Sequence, residues 1–160
     1  MKREPLWFED FVPGTRWRTE GATVTEAQIL DFAQRWDPQP FHMDVEAAKG
    51  SVYGGLIGSG FQTMLIAFRL WMAEKIVTPS AEGSPGMSEV RWFLPTRPGD
   101  TIHVEVEAVS ARPSASRPAY GIVEWRYDVF NHTGARTMTW TAAVLHLKRP
   151  ENRPDREATP

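Results

Sequence analysis

One short segment of the sequence combines the residue types needed to move protons. Asp37 and His42 are separated by four residues, two of which are Pro38 and Pro40. Each proline fixes its own backbone and holds the preceding residue extended, so the segment predicts a stiff link with the acid and the imidazole at a fixed separation. Such a pair can serve as general base and general acid. The plainer alternative is a helix-stopping loop with a solvated aspartate and an incidental histidine, and the spacing alone leaves both open.

A second feature is the glycine-rich run at residues 54–60, which leads directly into a strongly apolar segment. The first N–H groups of a helix lack internal partners and point outward, so the Gly60 N–H could bind an oxygen that gains negative charge. A glycine there lets a substrate approach the backbone closely. The plainer interpretation is a tight loop with Ser59 as the helix N-cap, and both interpretations can hold together.

Other motifs that carry chemistry are absent from the sequence. Ser59 lacks the flanking glycines of a nucleophile elbow, because Ile57 and Phe61 occupy those positions. The run also lacks the last glycine of a dinucleotide-binding fingerprint, since Thr63 stands there. The remaining histidines have no metal-ligand spacing, and the absence of cysteine removes thiol nucleophiles and disulfides. These motifs therefore give no candidate site besides the Asp37–His42 segment and the glycine-rich run.

Two helices are predicted in the first half of the chain. Thr25 and Gln28 form a capping box ahead of an apolar face, and Pro38 stops that helix. Residues 61–77 are apolar on nearly every face, which predicts a buried helix that ends before Pro79. Arg69 and its charged neighbours make this segment unsuitable as a membrane span.

The second half has the period of strands. Residues 101–109 alternate strictly between apolar and polar, which indicates a half-buried strand. Further strands are predicted at residues 15–21, 88–94, 119–130 and 135–148, with a hairpin turn at 131–134. An antiparallel sheet curled around the buried helix is the packing that covers it, an α+β arrangement of the hotdog type.

The composition indicates one globular domain. The 160 residues carry a formal net charge of −2, which disfavours nucleic acid as a partner. We expect the domain to span residues 1–148, followed by a polar, disordered tail at 149–160. The N-terminal residues lack the pattern of a signal peptide. We therefore expect a cytoplasmic protein with no membrane partner.

Three blocks of the sequence resemble the MaoC-like dehydratase family, which includes the R-specific enoyl-CoA hydratases. Asp37, Pro40 and His42 match the spacing of its Asp-x-Asn-Pro-Leu/Ile-His block. Residues 53–60 resemble its glycine-rich block and residues 92–100 its strand ending in Pro-Gly-Asp, within a similarity that covers residues 6–148. The sequence departs from the family at three positions: Gln39, Phe41 and Ser59 replace the usual Asn, Leu or Ile, and His.

This resemblance implies reversible addition of water to an enoyl thioester, with Asp37 and His42 as the catalytic pair. It implies that Gly60 and Ser59 lie at the thioester oxygen, and that basic residues near the mouth of the site bind the phosphates of CoA or a carrier protein. Arg91, Arg97, Arg112 and Arg117 are available, and Arg91 and Arg97 are our candidates, although the sequence alone does not choose among the four. No metal or redox cofactor is implied. Because a single curled sheet leaves edge strands unpaired, we expect a homodimer or a dimer-based assembly.

Two other functions fit the same fold. A hotdog thioesterase would hydrolyse the thioester, and a non-catalytic subunit would only bind the acyl group. The intact Asp/His block favours hydration over both.

Overall fold

The computed structural model describes residues 5–154 of the chain, which contain four helices and six strands. The helices are Glu26–Trp36 (α1), Pro40–Met43 (α2), Val45–Lys49 (α3) and Gly60–Ala73 (α4). The strands are Arg16–Arg18 (β1), Ala22–Thr23 (β2), Met87–Trp92 (β3), Thr101–Pro113 (β4), Tyr120–Phe130 (β5) and Arg136–Leu147 (β6). Short 3-10 turns occur at Phe8–Asp10 and Pro150–Asn152.

The strands form one antiparallel sheet in the order β1-β4-β5-β6-β3, and β2 also pairs with β4. The prediction that β4 is a half-buried strand is confirmed, because Val104, Val106 and Ala108 are completely buried while their neighbours are not. The strand continues past residue 109 to Pro113, beyond its predicted end. The predicted turn between β5 and β6 is present, and Gly134 adopts the left-handed conformation that closes it.

Helix α4 packs against this sheet through Ala67 and Trp71, which are buried. The prediction that the helix is buried on nearly every side is wrong for one face. Phe61, Leu65 and Phe68 are 63%, 57% and 47% exposed in the single chain. The helix is also shorter than predicted, because it ends at Ala73 and the chain turns at residue 75, well before Pro79.

The region before α4 is held by helix caps. The predicted capping box is confirmed, since the Gln28 N–H donates to the Thr25 hydroxyl and the Gln28 side chain accepts from the Thr25 N–H. The extended link predicted after α1 is only partly correct. Pro40 starts the one-turn helix α2, where a proline's fixed backbone is favourable. His42 therefore lies on a helical turn.

The two ends of the described chain meet in what we call the terminal clasp, formed by Glu9, Asp10, Arg149 and Asn152. Arg149 donates to Asp10 through its side chain and to Glu9 through its backbone, and Asn152 donates to Glu9 over 2.8 Å. The tail predicted to be disordered from residue 149 is thus ordered at its start. Residues 1–4 and 155–160 lie outside the described residues. None of the helices between residues 5 and 154 combines the length and apolarity needed to cross a membrane.

Candidate active site

Asp37 is the C-cap of α1, and its backbone N–H still donates to Ala33 within the helix. Its side chain is only 15% exposed. Gln39 donates to the Asp37 carboxylate over 2.7 Å, and the Ser59 hydroxyl also donates to it. Burial raises the pKa of Asp37, but these hydrogen bonds and the proximity of His42 outweigh it and hold the pKa below its usual value. The carboxylate therefore stays ionised at neutral pH.

His42 is buried, with 5% of its surface exposed. Its Nδ1 lies 2.8 Å from the carbonyl oxygen of Ile57. A carbonyl only accepts hydrogen bonds, so Nδ1 carries the proton and donates. In the neutral ring this fixes Nε2 as the nitrogen with the free lone pair. The glycine-rich run thus selects the tautomer of the imidazole.

The two side chains face each other, with 3.4 Å between His42 Nε2 and Asp37 Oδ2. When the imidazole is neutral, both atoms are acceptors and neither can donate to the other. A water molecule satisfies both by donating one proton to each, which leaves its oxygen lone pairs free. The arrangement can therefore hold and polarise a water molecule at a defined point.

Ser59 joins this pair to the start of α4. It is the N-cap of the helix, and its hydroxyl oxygen accepts from the Phe61 N–H over 3.2 Å. The same hydroxyl donates to Asp37. The carboxylate consequently lies at the C-terminus of α1, which disfavours a negative charge, but is bonded to the N-terminus of α4, which favours one.

Gly60 is the first residue of α4, as predicted, but the space in front of it is not open. A Cβ atom at this position would lie 2.5 Å from Nε1 of Trp92, closer than real Cβ atoms approach. The prediction that glycine is needed for a close approach of substrate is therefore incomplete. The indole ring of Trp92 already occupies the side where a Cβ would project.

A cavity of about 470 Å³ brings these groups together. Asp37 and His42 lie in its wall with Gly58 and Gly60, so the predicted pair and the predicted helix start share one space. Aromatic rings supply much of the remaining surface: Phe41, Tyr53, Phe61, Trp92 and Phe93. Apolar walls with a few convergent polar groups are typical of small-molecule sites.

Sequence comparison identifies the family of this fold and site. The family model described as a MaoC-like domain matches residues 10–125. The chain belongs to the MaoC-like domain family. A protein named YdeM from Bacillus subtilis, described as uncharacterized, is 28% identical to this MaoC-like chain over 141 residues, which cover 88% of this chain and 98% of that protein.

Solved structures place the MaoC-like domain among hotdog folds. A MaoC-like dehydratase from Rhodospirillum rubrum is 39% identical, with a TM-score of 0.85 over 91% of this chain and 99% of that one. An (R)-hydratase from A. caviae, 24% identical, has a TM-score of 0.67 over 89% of this chain and 99% of that one. A protein from Mycobacterium tuberculosis described as a double hotdog fold, 17% identical, has a TM-score of 0.70 over 94% and 46%. The predicted family and hotdog fold are confirmed.

The predicted phosphate-binding arginines of the MaoC-like domain lie in different surroundings. Arg97 donates to the carbonyl oxygen of Tyr53 over 2.7 Å, which places it beside a residue that lines the cavity. Arg91 lies on β3, largely exposed, with its guanidinium 3.6 Å from Glu89. Neither arginine lines the cavity itself.

Sequence reasoning missed three contacts in this site. The carbonyl of Ile57 orients His42, the hydroxyl of Ser59 contacts Asp37, and Trp92 closes the space over Gly60. A carbonyl carries no sequence signal, because every residue has one. The position of Trp92 depends on strand β3 passing the start of α4, a contact between residues more than 30 apart in sequence.

Proposed function

We propose that this chain adds water to, or removes it from, the 2,3-double bond of an acyl thioester. Asp37 and His42 are the catalytic pair. The observation that carries the proposal is the 3.4 Å approach of two acceptor atoms in the wall of one cavity, next to the start of α4. A carboxylate and a neutral imidazole that face each other in this way can position a water molecule and take up one of its protons.

In the hydration direction, the bound water attacks C3 of the enoyl thioester. One proton of the water passes to the Asp37–His42 pair as the C3–O bond forms, and the electron pair of the double bond moves toward the thioester carbonyl. The proton then passes from the pair to C2. The product is a 3-hydroxyacyl thioester that contains all the atoms of water, and dehydration is the reverse.

The negative charge that develops on the thioester oxygen needs a hydrogen-bond donor. The Gly60 N–H at the start of α4 has no intrahelical partner, as is true of every first helical residue. It lies in the same cavity wall as the pair. We assign it to the thioester oxygen, with Ser59 bonded behind it.

The substrate class that we propose is an enoyl-CoA or (R)-3-hydroxyacyl-CoA, or the same acyl group on a carrier protein. The likeness to MaoC-like proteins supports this class. The basic residues that we propose for the phosphates are Arg97, at the edge of the cavity, and Arg91. Arg97→Ala should raise KM for a CoA thioester more than it lowers kcat. A cytoplasmic location stays a prediction from the sequence.

A two-substrate assay tests the function. Incubation with crotonyl-CoA should cause loss of the enoyl-thioester absorbance without release of free thiol. Butyryl-CoA, which has no double bond, should be left intact. Thiol release from both compounds would instead indicate a thioesterase, and binding without either reaction would indicate an acyl-binding subunit; both results contradict the proposal.

The exposed apolar face of α4 leads us to propose a homodimer. Phe61, Leu65 and Phe68 lie on that face, and the neighbouring strand β3 is an unpaired sheet edge. An apolar helix face beside a free edge is suited to a second copy of the same chain. Light scattering should report a dimer, and Leu65→Glu should shift it toward monomer. Val52→Glu, at an apolar residue that is 96% exposed in a loop, serves as the matched control.

A further inference from the structure

The indole of Trp92 lies with the face of its five-membered ring against Gly60. Three adjacent ring atoms, Nε1, Cε2 and Cδ1, are 2.5, 2.7 and 3.0 Å from the point where a Cβ of Gly60 would be. The indole nitrogen is therefore within about 4 Å of the Gly60 Cα. Both the Cβ direction and the N–H of a helical residue tilt toward the helix N-terminus, so the indole lies beside the free Gly60 N–H.

Most other polar groups around this point are already bonded. The Thr63 and Thr96 hydroxyls lie 2.8 Å apart, and Thr63 also contacts the Ser59 carbonyl. The Gln39 amide donates to Asp37. Among residues 5–154, no hydrogen-bond acceptor is found for the indole N–H of Trp92, although the ring lines the cavity.

We propose that the indole N–H of Trp92 donates the second hydrogen bond to the thioester carbonyl oxygen, next to the one from the Gly60 N–H. This inference rests on the proposed hydration and deepens it. The substrate oxygen would lie between the two donors, while the Asp37–His42 pair delivers water to C3 from another part of the cavity wall. The packing of Trp92 on Gly60 explains why the two donors stay side by side.

The role follows from the chemistry of the indole. Its N–H is a donor only and does not ionise in the working pH range, so it stabilises charge without joining the proton transfer. Charge on the thioester oxygen is larger in the transition state than in the bound substrate. Loss of such a donor therefore reduces kcat more than it changes KM, typically by 10²–10³-fold.

Trp92→Phe removes the N–H and keeps an aromatic ring. We expect kcat for crotonyl-CoA hydration to fall by about 10²-fold with KM changed only a few-fold. Trp36→Phe makes the same chemical change at a tryptophan that is 74% exposed and does not line the cavity, and it should match the wild type. Wild-type kcat in folded Trp92→Phe would overturn the inference. A wild-type kcat in Trp92→Phe combined with a reduced kcat in Tyr53→Phe would also overturn it, because the donor would then be the tyrosine hydroxyl.

A binding measurement keeps this inference separate from the proposed function. The seven tryptophans give seven indole ¹H–¹⁵N signals, and Trp92→Phe identifies the one from Trp92. That signal should move clearly downfield with butyryl-CoA, and not with S-butyl-CoA, which lacks the carbonyl oxygen.

If wild-type protein fails to hydrate crotonyl-CoA but this signal follows the carbonyl, the proposed function fails and the indole contact stands. If hydration proceeds and no indole signal depends on the carbonyl, the contact is wrong and the function stands. Should Trp92→Phe not fold, the wild-type titration still decides, because Trp92 is the one tryptophan among residues 5–154 that lines the cavity. A carbonyl-dependent indole signal then supports the contact, and its absence overturns it.

Discussion

His42 and His146 are both buried, yet their surroundings give them opposite properties. His146 is completely inaccessible, and its Nε2 accepts the indole N–H of Trp125 over 3.0 Å. Its Nδ1 therefore carries the proton and donates to the Ser80 hydroxyl, also over 3.0 Å. Burial lowers the pKa of His146 to about 4. Both nitrogens have partners within the protein, so neither is available to accept or donate a proton in a reaction.

His42 has one nitrogen bonded to the protein and one facing a cavity. The Ile57 carbonyl fixes Nδ1, and Nε2 points at Asp37, an acceptor that cannot satisfy it while the ring is neutral. The comparison teaches that burial does not distinguish a working histidine from a structural one. The distinguishing feature is the nitrogen that lacks a donor within the protein.

The largest effect should come from removing either acceptor of the pair. Asp37→Asn introduces an amide N–H that can donate directly to His42 Nε2, so water is no longer held between them, and His42→Ala removes the second acceptor. We expect each to lower turnover by about 10²–10⁴-fold. Steady-state kinetics measure this, with circular dichroism to establish that the variants fold. Near-normal turnover in either folded variant would remove that residue from the mechanism.

Replacing the other histidine should change stability and leave turnover at neutral pH unaltered. The folded chain resists protonation of His146 until about pH 4, whereas the unfolded chain takes up the proton near pH 6.5. The contribution of His146 to the free energy of unfolding, up to about 3 kcal/mol, is therefore fully present above pH 6.5 and is lost as the pH falls toward 4.

Urea unfolding of wild type and His146→Gln between pH 7.5 and 4.5 isolates this contribution, because the other titrating groups are common to both proteins. The stability difference between the two should narrow as the pH falls. A constant difference across that range would show that His146 is not protonated on unfolding.

A smaller effect, on the free energy of folding, should follow from adding one methyl group at Gly60, beside the His42 site. Gly60→Ala places a Cβ where the Trp92 ring lies, so the ring must move, at a cost of about 1–3 kcal/mol in folding free energy. The same substitution in a Trp92→Ala background should cost much less. Urea midpoints for the four proteins form a double-mutant cycle, and strictly additive effects would show that the two residues do not pack together.

The smallest effect should come from Ser59→Ala. The variant loses a helix cap, worth about 1 kcal/mol, and a hydrogen bond that lowers the pKa of Asp37. Without that bond the pKa rises, so the acidic limb of the kcat/KM profile should move to higher pH while neutral turnover changes little. His146→Gln should leave that limb in place. An unmoved limb in Ser59→Ala would show that the serine does not act on the carboxylate.

Much of the fold follows from local sequence patterns. The capping box at Thr25 starts α1 where predicted, and the alternation of residues 101–109 gives a strand whose apolar side is buried. The hairpin turn at 131–134 joins the two predicted strands. These features depend on residues close in sequence, so local patterns are enough to predict them.

The features that local patterns missed depend on contacts across the fold. Pro40 signals the end of a helix as readily as the first residue of a new one, so local patterns predict an extended link where the structure has the helical turn that carries His42. The apolar residues of α4 predict burial on every side, but one chain covers only part of them. The Asp37–His42 pair was predictable from its motif, whereas the contact of Trp92 with Gly60 required the tertiary structure.

The terminal clasp makes the protein suitable for circular permutation. Arg149 and Asn152 lie against Glu9 and Asp10, so a short peptide could connect the two ends of the described chain, residues 5 and 154. New ends could then be opened within residues 131–134, an exposed turn between strands that pair along their whole length. Such a circular permutant would keep every strand neighbour and every contact of His42, while β6 would become the first strand to be synthesised.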